Sequence, residues 1–155
     1  MGRDGDAQRD RRSEAERARS EQDAYESLCA YTLARGDAEF VHQHVVDAYA
    51  AQRANEKTKP ITLTFALVGL CLHVEKGWTG RQVQQAHVRL ARRRQAWPAL
   101  VLPSGRGSTT VADVAGIPKG PGRDRAIDAW CRSVWEAFAG NRGAVVELLT
   151  QRGIL

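Results

Sequence analysis

Apolar positions along the chain fall at helical spacing, three and four residues apart, and no convincing run alternates with the two-residue period of a strand. Residues 1–22 carry no apolar periodicity and read as a disordered charged tail or a frayed helical extension held by Glu–Arg pairs. Regular structure is expected from about Asp23, where Tyr25, Leu28, Cys29 and Thr32 share a face, up to a stop at Gly36. Asp37 can cap a second helix over about 37–54, in which Phe40, Val41, Val45, Val46, Ala48 and Tyr49 wrap most of the circumference. Pro60 opens a third, ITLTFALVGLCLHVEKG, apolar on nearly every side and so expected at the centre of the fold. Gly77 ends it. Thr79 and Gln82 then have capping-box spacing for a fourth helix over about 80–95, with Val83, Ala86, His87 and Leu90 inward and Arg81, Arg89, Arg92 and Arg93 outward.

Residues 96–122 hold Pro98, Pro103, Pro118 and Pro121 among many glycines, so they form a long irregular connection with one short helical turn in TTVADVAG. A fifth helix over about 122–139 presents Ile127, Trp130, Cys131, Val134, Trp135 and Phe138, and Asn141 can cap a last one through Val145, Leu148 and Leu149. The fold class is therefore all-α, an irregular bundle of five or six helices, with 23–155 as one domain.

Composition narrows the function classes. The chain has 155 residues and is 43% hydrophobic, enough for a single packed core. No apolar stretch reaches the ~20 residues that span a bilayer, and the polar N-terminus lacks a signal-peptide core, so a cytoplasmic protein with no membrane partner is expected. Cys29, Cys71 and Cys131 are odd in number and far apart, which points to buried thiols rather than a disulfide framework or zinc knuckle. Charge is unevenly distributed: between Lys76 and Ala112 there are seven basic residues and no acidic one.

All four histidines, His42, His44, His73 and His87, lie between residues 42 and 87. His44 and Asp47, three apart, share a helix face and resemble the carboxylate–histidine pairs of bundle metal sites. With His73 and His87 on the next two helices they would suit Zn²⁺, Fe²⁺ or Mn²⁺. His42 sits about 200° around the axis from His44, which sets it aside from the ligand set. Glu75 and Tyr49 are the candidate acid–base groups, and Arg106 in the long loop the candidate for receiving an anion. The same histidines can equally be core groups satisfied by a carboxylate or carbonyl. In the competing reading the basic segment, through Arg89, Arg92, Arg93 and Arg94, docks on an acidic protein or a nucleic acid. No GxxxxGK[ST] order is present, so no nucleotide cofactor is expected, and no helix-turn-helix order stands out. The pattern leaves homo-oligomerisation open.

The segments VHQHVVDAYAAQ, TKPITLTFALVGLCLHVEKGWTGRQVQQAH, WP…LP…G…TVADV and DAWCRSVWEAF resemble a family of small uncharacterised bacterial helical proteins, a domain of unknown function. The resemblance covers about residues 25–140 and implies the all-helical fold. It places His42, His44, Asp47, Tyr49, Gln52, His73 and His87 in the family's recurring motifs. It also implies a leading cysteine pair and further histidines near the end. This chain lacks the cysteine pair and has Asn141 and Arg142 in that later region.

Overall fold

In the computed structural model, residues 3–94 and 96–155 are described, with side chains from Gly5 onward. Met1, Gly2 and Gln95 lie outside the described residues, and with them the start of the expected tail and the expected last residue of the fourth helix. The helices are α1 (Arg3–Ala34), α2 (His42–Gln52), α3 (Pro60–Lys76), α4 (Gly80–Ala91), α5 (Val111–Ala115), α6 (Pro121–Ala137) and α7 (Arg142–Gln151), with one 3-10 turn at Ala139–Asn141. The described residues contain no strand, so the fold is all-α.

Beyond its first turn, where Ile61 is exposed, α3 is covered on most of its apolar surface. From Leu63 to Leu72 it is almost continuously buried, and α2, α4, α6 and α7 pack around it. Burying the five side chains Leu63, Leu67, Val68, Leu70 and Leu72 there removes apolar surface at roughly 1.5–3 kcal/mol each, which is why this helix organises the bundle. α6 closes the opposite side with Ile127, Trp130, Cys131 and Val134, all fully buried.

α1 begins at Arg3, twenty residues before the first apolar stripe, and its residues 5–21 are solvent-exposed. Charges rather than packing accompany that extension, as in the Arg12–Glu16 pair at 3.5 Å. α2 starts later than its apolar pattern suggests. Asp37 accepts from Val41 N–H at 3.1 Å and closes a turn, but Phe40 sits at φ 56 and breaks the helical path before His42.

The long connection is irregular, yet it is tied down at several points. Asn141 exchanges two hydrogen bonds with the backbone of Val101, at 2.7 and 2.8 Å. Its side chain therefore does not cap α7, because the loop's N–H and carbonyl claim both ends of the amide. Gln52 donates to the carbonyls of Thr109 (2.7 Å) and Arg106 (3.1 Å) and accepts from Trp130 Nε1 at 3.0 Å. Arg123, buried on α6, donates to Ala115 O and Ile117 O at 2.8 Å each and so satisfies carbonyls beyond the end of α5.

Candidate functional site

Helix geometry sends the four histidines to separate partners. His42 Nδ1 meets Thr32 Oγ1 of α1 at 2.9 Å. His87 Nε2 is 2.9 Å from Phe65 O, so it donates there, and its ring stacks on Phe65 at 5.0 Å between centroids. Only His44 and His73 come together, stacked at 3.5 Å with 17° between planes. His73 Nε2 lies 3.1 Å from Asp128 Oδ1 on α6, and its Nδ1 lies 3.2 Å from Trp78 O. A carbonyl and a carboxylate thus flank the ring, one at each nitrogen. The bond from His73 holds the Asp128 carboxyl below its ordinary value.

His44 is the opposite case. Burial first, and then the neighbouring His73, push its pKa down to about 4, so it packs as a neutral ring. Its carbonyl accepts from Cys131 Sγ at 3.6 Å, while its Nδ1 is buried without a partner. One turn on, Asp47 accepts from Gln43 Nε2 at 3.0 Å through one oxygen, and the other oxygen has none. Complete burial raises this carboxyl well above its usual range. Gly69 of α3 faces it so closely that a Cβ there would fall 1.9 Å from Asp47 Oδ2. The glycine is the space the carboxylate occupies.

These placements do not assemble the expected set of His44, Asp47, His73 and His87 around one point. Imidazole lone pairs lie in the ring planes, so two stacked rings do not aim at a common ion, and His87 is spent on a carbonyl a helix away. Among the described residues no three His, Cys, Asp or Glu side chains are arranged to hold a metal ion. Glu75 is likewise committed elsewhere: it accepts from Arg142 at 2.7 and 2.9 Å and from Trp135 Nε1 at 3.0 Å. Tyr49 stacks on Tyr25 at 3.9 Å and donates to Gln22. Arg106 turns inward onto Pro103 O and Ala54 O, with its guanidinium over Phe138. These bonds fasten the loop to the end of α2, while the side chain also lines a small cavity with Tyr49, Gln52 and Arg53.

The other candidate region is open. α4 packs inward through Val83, Ala86 and Leu90 and begins with the expected capping box, Thr79 Oγ1 accepting from Gln82 N–H and Gln82 Oε1 from Thr79 N–H. Gly80 lets its first turn press against Phe40, where a Cβ would meet the carbonyl oxygen at 1.8 Å. Along the outer side runs a groove of about 590 Å³ lined by Gln43 of α2 and by Arg81, Gln84, Gln85, His87, Val88, Arg89 and Arg92. Among the described residues no acidic side chain lines it. Among the described residues none of Arg81, Arg89, Arg92, Arg93 and Arg94 is ion-paired to a carboxylate.

A model of the family of unknown function DUF5946 matches residues 13–139. The chain belongs to the DUF5946 family. No curated protein and no solved structure matches it. The DUF5946 match runs from the exposed part of α1 to the turn after α6, so it takes in both the histidine centre and the α4 groove.

Sequence reasoning missed several residues of this DUF5946 chain. Asp128 lies 55 positions from His73, and no local pattern links them. Gln43 and Gly69 are bland until Asp47 is placed between them. The three-residue link between α3 and α4, Gly77 to Thr79, was readable as two helix ends.

Proposed function

We propose that this DUF5946 chain is a non-catalytic binding module whose α4 face takes a polyanionic, phosphate-rich partner. The observation that carries this reading is the α4 groove, lined by three arginines and no carboxylate. Arginines paired internally to acids would have had little left for a ligand, and these are not so paired. Guanidinium groups engage phosphate oxygens in bidentate fashion, and releasing the counterions of a polyanion supplies most of the affinity. The test is titration with inorganic polyphosphate at several salt concentrations. Log affinity is expected to fall linearly with log salt, with a shallower slope in the triple variant Arg89→Gln, Arg92→Gln, Arg93→Gln. Salt-indifferent binding, or an unchanged variant, would overturn it.

A second reading draws on two buried atoms without partners, His44 Nδ1 and Asp47 Oδ2. A divalent zinc, iron or manganese ion would use both, with His73 turned away from Asp128 to join them. Metal content by mass spectrometry on untagged protein purified without chelator decides it. One equivalent that disappears in Asp47→Asn would establish the site; no metal after reconstitution would end this reading.

A further inference from the structure

We infer that the partner of the α4 face is duplex DNA, read by α4 in the major groove. This inference rests on the polyanion reading above and narrows it to one ligand. Its first support is the connection. α3 ends at Gly77, in the left-handed conformation at φ 68, with Gly77 N–H bonded to His73 O and Trp78 N–H to Leu72 O. Three residues later α4 begins, which is the link length of helix-turn-helix DNA readers.

Its second support is the chemistry of the exposed stripe. Arg81, Gln85, Val88, Arg89 and Arg92 stand at i, i+4, i+7, i+8 and i+11, one face of the helix opposite Val83, Ala86 and Leu90. Glutamine pairs bidentately with adenine, arginine with guanine, and a small apolar side chain with the thymine methyl. Gln85, Val88 and Arg89 are all exposed, Val88 by 52%. The rise of an α-helix puts Arg81 and Arg92 about 16 Å apart along the axis, more than the roughly 12 Å width of the major groove. Those two ends can therefore reach phosphates on either side while the middle of the stripe meets base edges. The stripe is mainly polar, and the ring that lines the groove, His87, is already stacked on Phe65, which suits a duplex better than a stacked single strand.

Rigid placement is the third support. Arg81 N–H donates to Glu39 O at 3.0 Å and its Nε to Ala38 O at 3.2 Å. Arg89 donates to Gly153 O at 3.0 Å, so both ends of α4 are anchored to neighbouring chain.

The experiment is selection of the full chain on a random duplex DNA pool, followed by titration of the enriched and a scrambled duplex, a duplex RNA, and inorganic polyphosphate. Preference for the enriched duplex over the scrambled one by tenfold or more is expected, with Gln85→Ala and Val88→Ala reducing that ratio while leaving polyphosphate binding unchanged. Equal affinity for the enriched DNA, the scrambled DNA and the RNA overturns the inference and leaves the polyanion reading intact. Polyphosphate binding lost along with DNA binding in Gln85→Ala also overturns it, because a base-reading side chain does not set phosphate affinity. No binding to any of the four sinks both readings together.

Discussion

The histidine centre between α2, α3 and α6 and the outer face of α4 look similar as lists of residues: both are rich in groups that can bind or react. In space they are opposites. At the centre, His73 has given both ring nitrogens to Asp128 and Trp78, and His44 is stacked on it and neutral. On α4 the arginines and glutamines border open space: Arg81 and Arg89 each give one side-chain N–H group to a backbone carbonyl, and among the described residues no carboxylate neutralises them. Residue type nominates a site, but access decides it: the atoms left without partners at the centre, His44 Nδ1 and Asp47 Oδ2, are buried, whereas the donors of α4 face solvent. A side chain whose donors and acceptors are already used holds the fold together, whatever chemistry it is capable of.

That contrast can be broken first at the core. Trp130→Ala removes a fully buried indole and takes away the N–H that Gln52 accepts, so the Gln52 clasp on the 106–109 loop loosens as well. A loss of about 3–5 kcal/mol is expected in denaturant unfolding. A loss under 1 kcal/mol would show that the long loop is not held through Gln52.

Next comes the acid response of the centre. His44 has a folded-state pKa of about 4 against an ordinary 6.5, so the unfolded chain binds the proton more readily. Stability contributed by the neutral ring is complete above pH 6.5 and is lost as pH falls through 4, on the order of 3 kcal/mol in all. Unfolding free energy measured from pH 7 to 4 should drop less in His44→Phe than in wild type. Parallel curves would mean that His44 is not buried neutral.

Asp47 gives an effect of the reverse sign. Its carboxyl is raised, so the charged form that the unfolded chain adopts above its ordinary value opposes folding as pH rises. Asp47→Asn keeps the shape and the bond from Gln43, and should stabilise the protein at neutral pH by roughly 1–3 kcal/mol. Gly69→Ala should cost a similar amount by driving a methyl into the carboxylate, and Asp47→Gly in the same chain should recover much of that cost. Additive effects of the two changes would contradict the close approach.

Smallest of all is the expected stability change on α4. Replacing Arg89, Arg92 and Arg93 by glutamine should move unfolding free energy by no more than about 1 kcal/mol, since these exposed side chains make no ion pair and the bond lost, from Arg89 to Gly153 O, is solvent-exposed. Their removal is expected to appear in binding instead.

How much of this was legible beforehand follows from the same distinction. The all-α class, the central α3, the capping box at Thr79 and the short α5 are periodic or capping signals carried by neighbouring residues, and each can be read without tertiary knowledge. The start of α2 was not, because Phe40 holds a left-handed backbone that its own side chain disfavours and that the packing of Gly80 against it explains. The fate of the histidines was hidden for a different reason. Clustering along the chain placed His44 and His73 near each other correctly, but which ring atoms remain free depends on Asp128, Phe65, Thr32 and Trp78, four residues spread over α1, α3, α6 and the α3–α4 link. Glu75 shows the same limit: its acidity was visible, but its pairing with Arg142 and Trp135 was not. The exposure of Arg89, Arg92 and Arg93 follows from their places away from Val83, Ala86 and Leu90, but the inward turn of Arg106 in the same basic segment does not.

One titration sets the two regions directly against each other: the affinity of a duplex DNA for wild type, for the triple α4 variant, and for His44→Phe, measured at one salt concentration on folded protein. The account predicts that binding collapses in the α4 variant and stays within about twofold of wild type in His44→Phe. Binding that survives loss of the arginines, or that disappears with His44, would contradict it.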